Sequence, residues 1–128
     1  MKVSARNVFK GKITALVDGA VNAEVELTLP GGDRIVAIVT EGSVKSLDLA
    51  VGQEAIAYVK APWVIILAGE PDVRFSTRNQ LTGQVSSVRK GAVNSEVVIV
   101  LPGGSTVYAV VTNEAVLELG LKEGIPAT

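Results

Sequence analysis

Gly19 to Gly32 reads GAVNAEVELTLPGG, and Gly91 to Gly104 reads GAVNSEVVIVLPGG. Within the first stretch Val25, Leu27 and Leu29 alternate with Glu24, Glu26 and Thr28, the period of two that marks a half-buried strand. Pro30-Gly31-Gly32-Asp33 then supplies a turn, and Ile35 to Thr40 is rich in β-branched residues, so the segment predicts a β-hairpin. Val98 to Leu101, Pro102 to Ser105 and Thr106 to Thr112 predict the same hairpin again.

The two stretches are offset by 72 positions. The same shift carries Ser4-Ala5-Arg6-Asn7 onto Ser76-Thr77-Arg78-Asn79, Gly11 onto Gly83 and Thr40 onto Thr112 without a gap. Between Gly19–Val44 and Gly91–Val116, 14 of 26 positions are identical. The 128-residue chain is therefore read as a tandem repeat, residues 1–68 and 73–128, joined by Gly69-Glu70-Pro71-Asp72. The second copy has no counterpart of Tyr58 to Ala68, so its last strand is expected to be missing.

Gly11 to Val17 and Gly83 to Val88 predict the preceding strands, and Glu54 to Val59 and Trp63 to Ala68 two further strands in the first module, with Trp63 in the core. Ser43, Val44, Leu47 and Leu49 have helical spacing, as does Asn113 to Leu119, with Gly120 as its stop and Thr40 and Thr112 at the N-cap positions. The fold class is all-β with short helices, two tandem OB-fold-like Greek-key barrels; an SH3-like barrel is the alternative. Modules of this size bury only ~60% of their unfolded surface, so the modules are expected to pack on one another and the chains to associate.

Composition removes whole classes of chemistry. Without His or Cys there is no imidazole or thiol nucleophile, zinc site, iron–sulfur cluster or disulfide. The acids form no general acid/base pair, so no enzyme is expected. Twelve Lys+Arg against thirteen Asp+Glu give a net charge of −1, and two Phe, two Tyr and one Trp offer no stacking platform, so nucleic acid is not expected as a partner. The longest apolar stretch, Trp63 to Ala68, is far short of the ~20 residues that span a bilayer, and the N-terminus lacks a signal-peptide core. A cytoplasmic protein with no membrane partner is expected.

What remains are neutral donors and a few cations. Ser4 and Arg6 lie two residues apart and so face one side of an extended strand, as do Ser76 and Arg78; a hydroxyl beside a guanidinium fork suits a tetrahedral oxyanion, although each Arg could equally serve a surface ion pair. Thr40 and Ser43 flank a helix start, where N–H groups face an anion or are simply capped. Lys60 and Ala61 bring an ammonium and a main-chain N–H at a break between strands. Ala20, Val21 and Asn22, with Ala92, Val93 and Asn94, form turns whose N–H groups could make an anion nest or merely lead into a strand. Pro30-Gly31-Gly32 and Pro102-Gly103-Gly104 lack the Lys-Ser/Thr of a phosphate loop and are read as hairpin turns.

Taken in order, SARN, GAVNAEV and KAPWV resemble the Mop module of molybdate-binding proteins, and two such modules in tandem resemble the di-Mop molbindins. The resemblance covers essentially the whole chain. It implies an OB-like barrel per module, a homotrimer of two-module chains, and molybdate or tungstate as bound ligand, with no organic cofactor and no metal ligated directly by side chains. It places the oxyanion between modules or subunits, on Ser4, Arg6, Thr40, Ser43, Lys60 and Ala61, and in the second module on Ser76, Arg78 and Thr112. There Ala115 replaces the second-copy serine and the KAPW segment is absent, so Lys60 could serve a site with Arg78. A second type of site would use Ala20, Val21, Asn22, Ala92, Val93 and Asn94. The implied role is intracellular molybdenum storage and homeostasis; the alternative is an oligomerisation or regulatory anion-sensing module.

Overall fold

The computed structural model describes residues 2–69 and 72–128; Glu70 and Pro71 of the expected joint lie outside the described residues. The first module contains β1 (Asn7–Asp18), β2 (Asn22–Thr28), β3 (Arg34–Thr40), α1 (Glu41–Ser46) and β4 (Glu54–Val59). The second contains β5 (Gly83–Lys90), β6 (Asn94–Val100), β7 (Thr106–Thr112), α2 (Asn113–Leu119) and β8 (Pro126–Ala127). Each module is one four-stranded antiparallel sheet, ordered β3-β2-β1-β4 and β7-β6-β5-β8. Three consecutive strands followed by a fourth that returns beside the first is the Greek-key order.

Alternation decides which residues go inside. In β2, Ala23, Val25 and Leu27 are buried, and in β6, Ser95, Val97 and Ile99. The register of β1 on β2 slips between Ile13 and Ala15, and that of β5 on β6 between Val85 and Ser87, the same place 72 residues on. A bulge there bends the strand, so that the lower half of β1 turns to pair with β4 while the upper half pairs with β2. One core runs through both modules, joining Phe9, Ile13, Leu27 and Ile35 to Val85, Val97, Ile99 and Val107. The expectation that the modules pack on each other is met.

The helices form where their caps dictate. Thr40 Oγ1 accepts from Ser43 N and Thr112 Oγ1 from Ala115 N, both at 3.1 Å. Gly120 ends α2 in the left-handed conformation, φ 62°. The tips of the two PGG turns meet at the junction, where the backbones of Gly31 and Gly103 approach so closely that a Cβ on Gly31 would fall on the Gly103 carbonyl.

Two expectations need correction. Trp63 to Ala68 is not a strand: Pro62 opens a 3-10 turn over Ala61–Trp63, and no continuous strand follows it. Instead, Leu67 and Thr128 exchange two main-chain hydrogen bonds, at 2.7 and 2.9 Å, and Ala68 bridges Ala127. Trp63 is not core: that turn leaves it 73% exposed, and Ile65 86%. In the second module β8 pairs Ala127 with Gly83 and Pro126 with Gln84, the places Ala55 and Glu54 take against Gly11 and Lys12, so the start of the β4 counterpart is present.

Candidate functional site

The repeated Ser-x-Arg-Asn motif reaches from each module to the other. Arg6 donates through Nε and Nη2 to the Glu96 carboxylate of β6, at 3.1 and 2.9 Å, and its guanidinium lies 4.5 Å from the centre of the Tyr108 ring. Arg78 donates to Glu24 of β2 at 2.6 Å. Because 24 and 96 differ by 72, the two contacts are images of each other across the junction. The Arg6 guanidinium is held above its ordinary pKa, first by its hydrogen bonds to Glu96 and then by that carboxylate's charge.

Sequence reasoning assigned no role to the asparagine of the motif. Asn7 Nδ2 donates to Tyr108 O at 2.8 Å and its Oδ1 accepts from Tyr108 N at 2.7 Å. Asn79 does the same with Val36, donating to its O at 2.8 Å and accepting from its N at 2.7 Å. Val36 and Tyr108 lie on β3 and β7, the edge strands of their sheets. An amide is thus used as a one-residue strand to close an edge. Its recurrence at the 72-residue offset was the available signal.

The structure brings several expected site residues together. Asn22 lies opposite Thr40 in the β2–β3 register and Asn94 opposite Thr112 in β6–β7. Val21 O accepts from Glu41 N and Val93 O from Asn113 N, each at 2.9 Å, so the Gly-Ala-Val-Asn turn and the helix start share one end of each module. Thr40 Oγ1 also donates to Ser43 Oγ at 2.9 Å. A shallow cleft of about 500 Å³ then joins Arg6 of the first module to Gly91, Asn94, Arg89 and Lys90 of the second. Lys60 caps the 3-10 turn with exposed side chain, and buried Ala61 lies in that turn, which packs on β7 of the other module. Ser4 and Ser76 are exposed near their arginines in sequence.

Some donors are already engaged. Gly19 N donates to Asn22 O at 2.9 Å and to Glu41 Oε1 at 3.2 Å, and Gly91 N to Asn94 O at 2.8 Å, so the turn nests rest on the N–H groups that follow these glycines. Arg89 and Lys90 were not singled out from sequence, because the first module has Val17 and Asp18 in their places. Among the described residues, no group of three or more carboxylates is placed to hold a metal ion, and no helix is long and apolar enough to cross a membrane.

Two modules joined by reciprocal arginine–carboxylate contacts, with neutral donors gathered at the end of each, define a tandem-module architecture, and the comparisons give it a family. The TOBE domain model matches residues 3–66 and 76–128, and the chain belongs to the TOBE-domain family. It is 54% identical to the cytoplasmic molybdate-binding protein ModG, solved with molybdate bound; that match covers 99% of this chain and 90% of ModG with a TM-score of 0.93. The single-module MopII from Clostridium pasteurianum aligns with 52% of this chain over its whole length, at 45% identity and a TM-score of 0.50. The molybdenum transport protein ModE of Azotobacter vinelandii is 42% identical over 99% of this chain and 47% of its own length. The molybdenum-pterin-binding protein MopA of Rhodobacter capsulatus is 41% identical over 100% and 48%. The chain spans about half the length of these curated relatives. OB-like Mop and ModG folds as structural neighbours agree with the fold class read from the repeat.

Proposed function

We propose that this protein binds molybdate, or the isostructural tungstate, at sites between modules and between subunits, and serves as a cytoplasmic store that buffers the anion without catalysis. The observation that carries this reading is the crossing of Arg6 from the first module into a cleft with Gly91 and Asn94 of the second. A doubly charged tetrahedral ion stripped of water needs many donors converging on it. Arg6 offers five N–H donors, of which two are used on Glu96, and Arg78 stands likewise on Glu24. Ser4, Thr40, Ser43, Lys60 and Ala61 complete the donor set in the first module, and Ser76, Arg78 and Thr112 form its counterpart in the second. Ala20, Val21 and Asn22, with Ala92, Val93 and Asn94, would form the second type of site. Molybdate and sulfate present the same acceptors, so discrimination rests on cavity size.

Trimer assembly belongs to the same proposal, because it would cover Trp63 and Ile65 and bring Lys60 to a neighbour's seam. The relatedness of ModG, solved with molybdate, supports the ligand. Similarity to about half of ModE is what keeps a regulatory anion-sensing module as the second reading. Calorimetry with molybdate tests the proposal: tight binding at several sites per trimer is expected, weakened by Arg6→Ala and by Lys60→Ala. Binding only at millimolar molybdate rejects a storage role, and unchanged isotherms in both variants reject the assigned residues.

A further inference from the structure

The two arginines of the repeated motif are seated differently. Arg6 pairs side-on, through Nε and Nη2, with both oxygens of Glu96, whereas Arg78 makes one bond, from Nη1 to Glu24 Oε2. The half-buried Tyr108 takes the Arg6 guanidinium over its ring, 4.5 Å from the centre; the residue that matches Tyr108, 72 positions earlier, is Val36. Tyr108 stands opposite Val98 in the β6–β7 register and Glu96 opposite Val110, so ring and carboxylate are diagonal neighbours on one face of the sheet. In the first module Glu26 takes the place of Val98, so a second acid stands opposite Val36 on the face that carries Glu24.

We propose that Tyr108, acting with Glu96, is a positioning residue for anion capture and makes the Arg6 station the tighter of the two. The proposal rests on the reading of Arg6 and Arg78 as oxyanion ligands. What differs is the edge of each guanidinium that stays free. Side-on pairing leaves Arg6 both N–H groups of Nη1 and one of Nη2, a fork of donors that matches two oxygens of a tetrahedral anion. Arg78 gives a donor of that same end to Glu24. The Glu96 carboxylate fixes the direction in which the Arg6 fork points, and the Tyr108 ring holds the cation against its face. A long side chain that is already ordered gives up less freedom when the anion arrives. Arg78, exposed and held at one point, is ordered only at capture. The contact uses the ring of Tyr108 and not its hydroxyl, so phenylalanine serves equally well.

The test is molybdate calorimetry of the whole protein beside NMR of the arginine Nε–H groups without molybdate. Tyr108→Val gives the second module the first module's residue, Tyr108→Phe keeps the ring, and Val36→Tyr offers Arg78 a ring of its own. None of the three removes the main-chain bonds that Asn7 and Asn79 make at these positions. Tyr108→Val is expected to weaken one class of sites by about three- to tenfold without changing the number of sites, and Tyr108→Phe to bind like the natural protein. Val36→Tyr is expected to tighten the Arg78 sites. The Arg6 Nε–H should exchange with water more slowly than that of Arg78 in the natural protein and in Tyr108→Phe, and lose part of that protection in Tyr108→Val. Molybdate binding that is the same in Tyr108→Val as in the natural protein would overturn this proposal alone, as would Tyr108→Phe behaving like Tyr108→Val or an Arg6 Nε–H no better protected than that of Arg78. A natural protein that takes no molybdate would overturn the molybdate reading, and this one with it.

Discussion

Asn7 and Tyr108 stand 101 positions apart, and the Asn7 side chain makes both main-chain hydrogen bonds that a neighbouring strand would make to Tyr108. Asn7 is 1% exposed, so its partners are shielded from water when it is lost. Leaving a buried donor and acceptor unpaired costs ~1–3 kcal/mol apiece. Asn7→Ala is expected to lower stability by ~2–4 kcal/mol in urea titration, and Asn7→Asp to fail as a rescue because it cannot donate to Tyr108 O. Asn79 makes the same pair of bonds at an exposed position, so Asn79→Ala should cost clearly less. Equal losses at the two sites would contradict the role of burial.

The Gly31–Gly103 approach is a second contact that local sequence cannot tolerate losing. Gly31 has φ 93°, in the region that disfavours side chains, and its Cβ would meet backbone rather than a movable side chain. Gly31→Ala is expected to destabilise the protein by at least ~2 kcal/mol by forcing the turns apart. Gly32, with φ 99°, has open space where its Cβ would stand, so Gly32→Ala should carry the conformational cost alone, ~1 kcal/mol. Thermal melts of the two variants side by side check this; a milder effect at Gly31 would show that the turns do not press on each other.

If Arg6 holds the anion as proposed, binding should be indifferent to pH in the neutral range. Its pKa is raised by Glu96, so the charge and the stabilisation it brings are present below the ordinary arginine value and are lost only as pH rises through the higher folded one. The chain has no histidine to titrate near neutrality. The molybdate affinity measured from about pH 7 to pH 9 is therefore expected to stay constant within twofold. A steep fall across that range would show that a group other than Arg6 governs the affinity.

Much of the fold was legible because it is written twice. Alternation in Glu24–Leu29, the Pro-Gly-Gly turns and the Thr40 and Thr112 caps are local signals, and each formed where its chemistry placed it. The contacts across the junction were less legible. Arg6 and Arg78 read as donors, but sequence spacing does not say which strand packs against which, and so does not say that Glu96 and Glu24 are the carboxylates they meet. Trp63 was misplaced for the same kind of reason: apolar character predicts burial, but the turn begun by Pro62 sets direction.

Trp63 offers the most direct reading of assembly. It is the single tryptophan of the chain and is 73% exposed, next to Ile65 at 86% and near Phe75 along one groove that also takes in Leu67. Large apolar side chains grouped on a surface mark an interaction face. If trimers form through this face, Trp63 passes from water into an apolar seam, and its fluorescence shifts to the blue. Dilution from micromolar to nanomolar protein is then expected to shift emission to the red as sedimentation changes from trimer to monomer, and Ile65→Glu to move that transition to higher concentration. The substitution should leave the melting behaviour of the single chain nearly unchanged, since Ile65 packs on little within it. A trimer that persists in Ile65→Glu with Trp63 still emitting as in water would place the subunit contacts on another face.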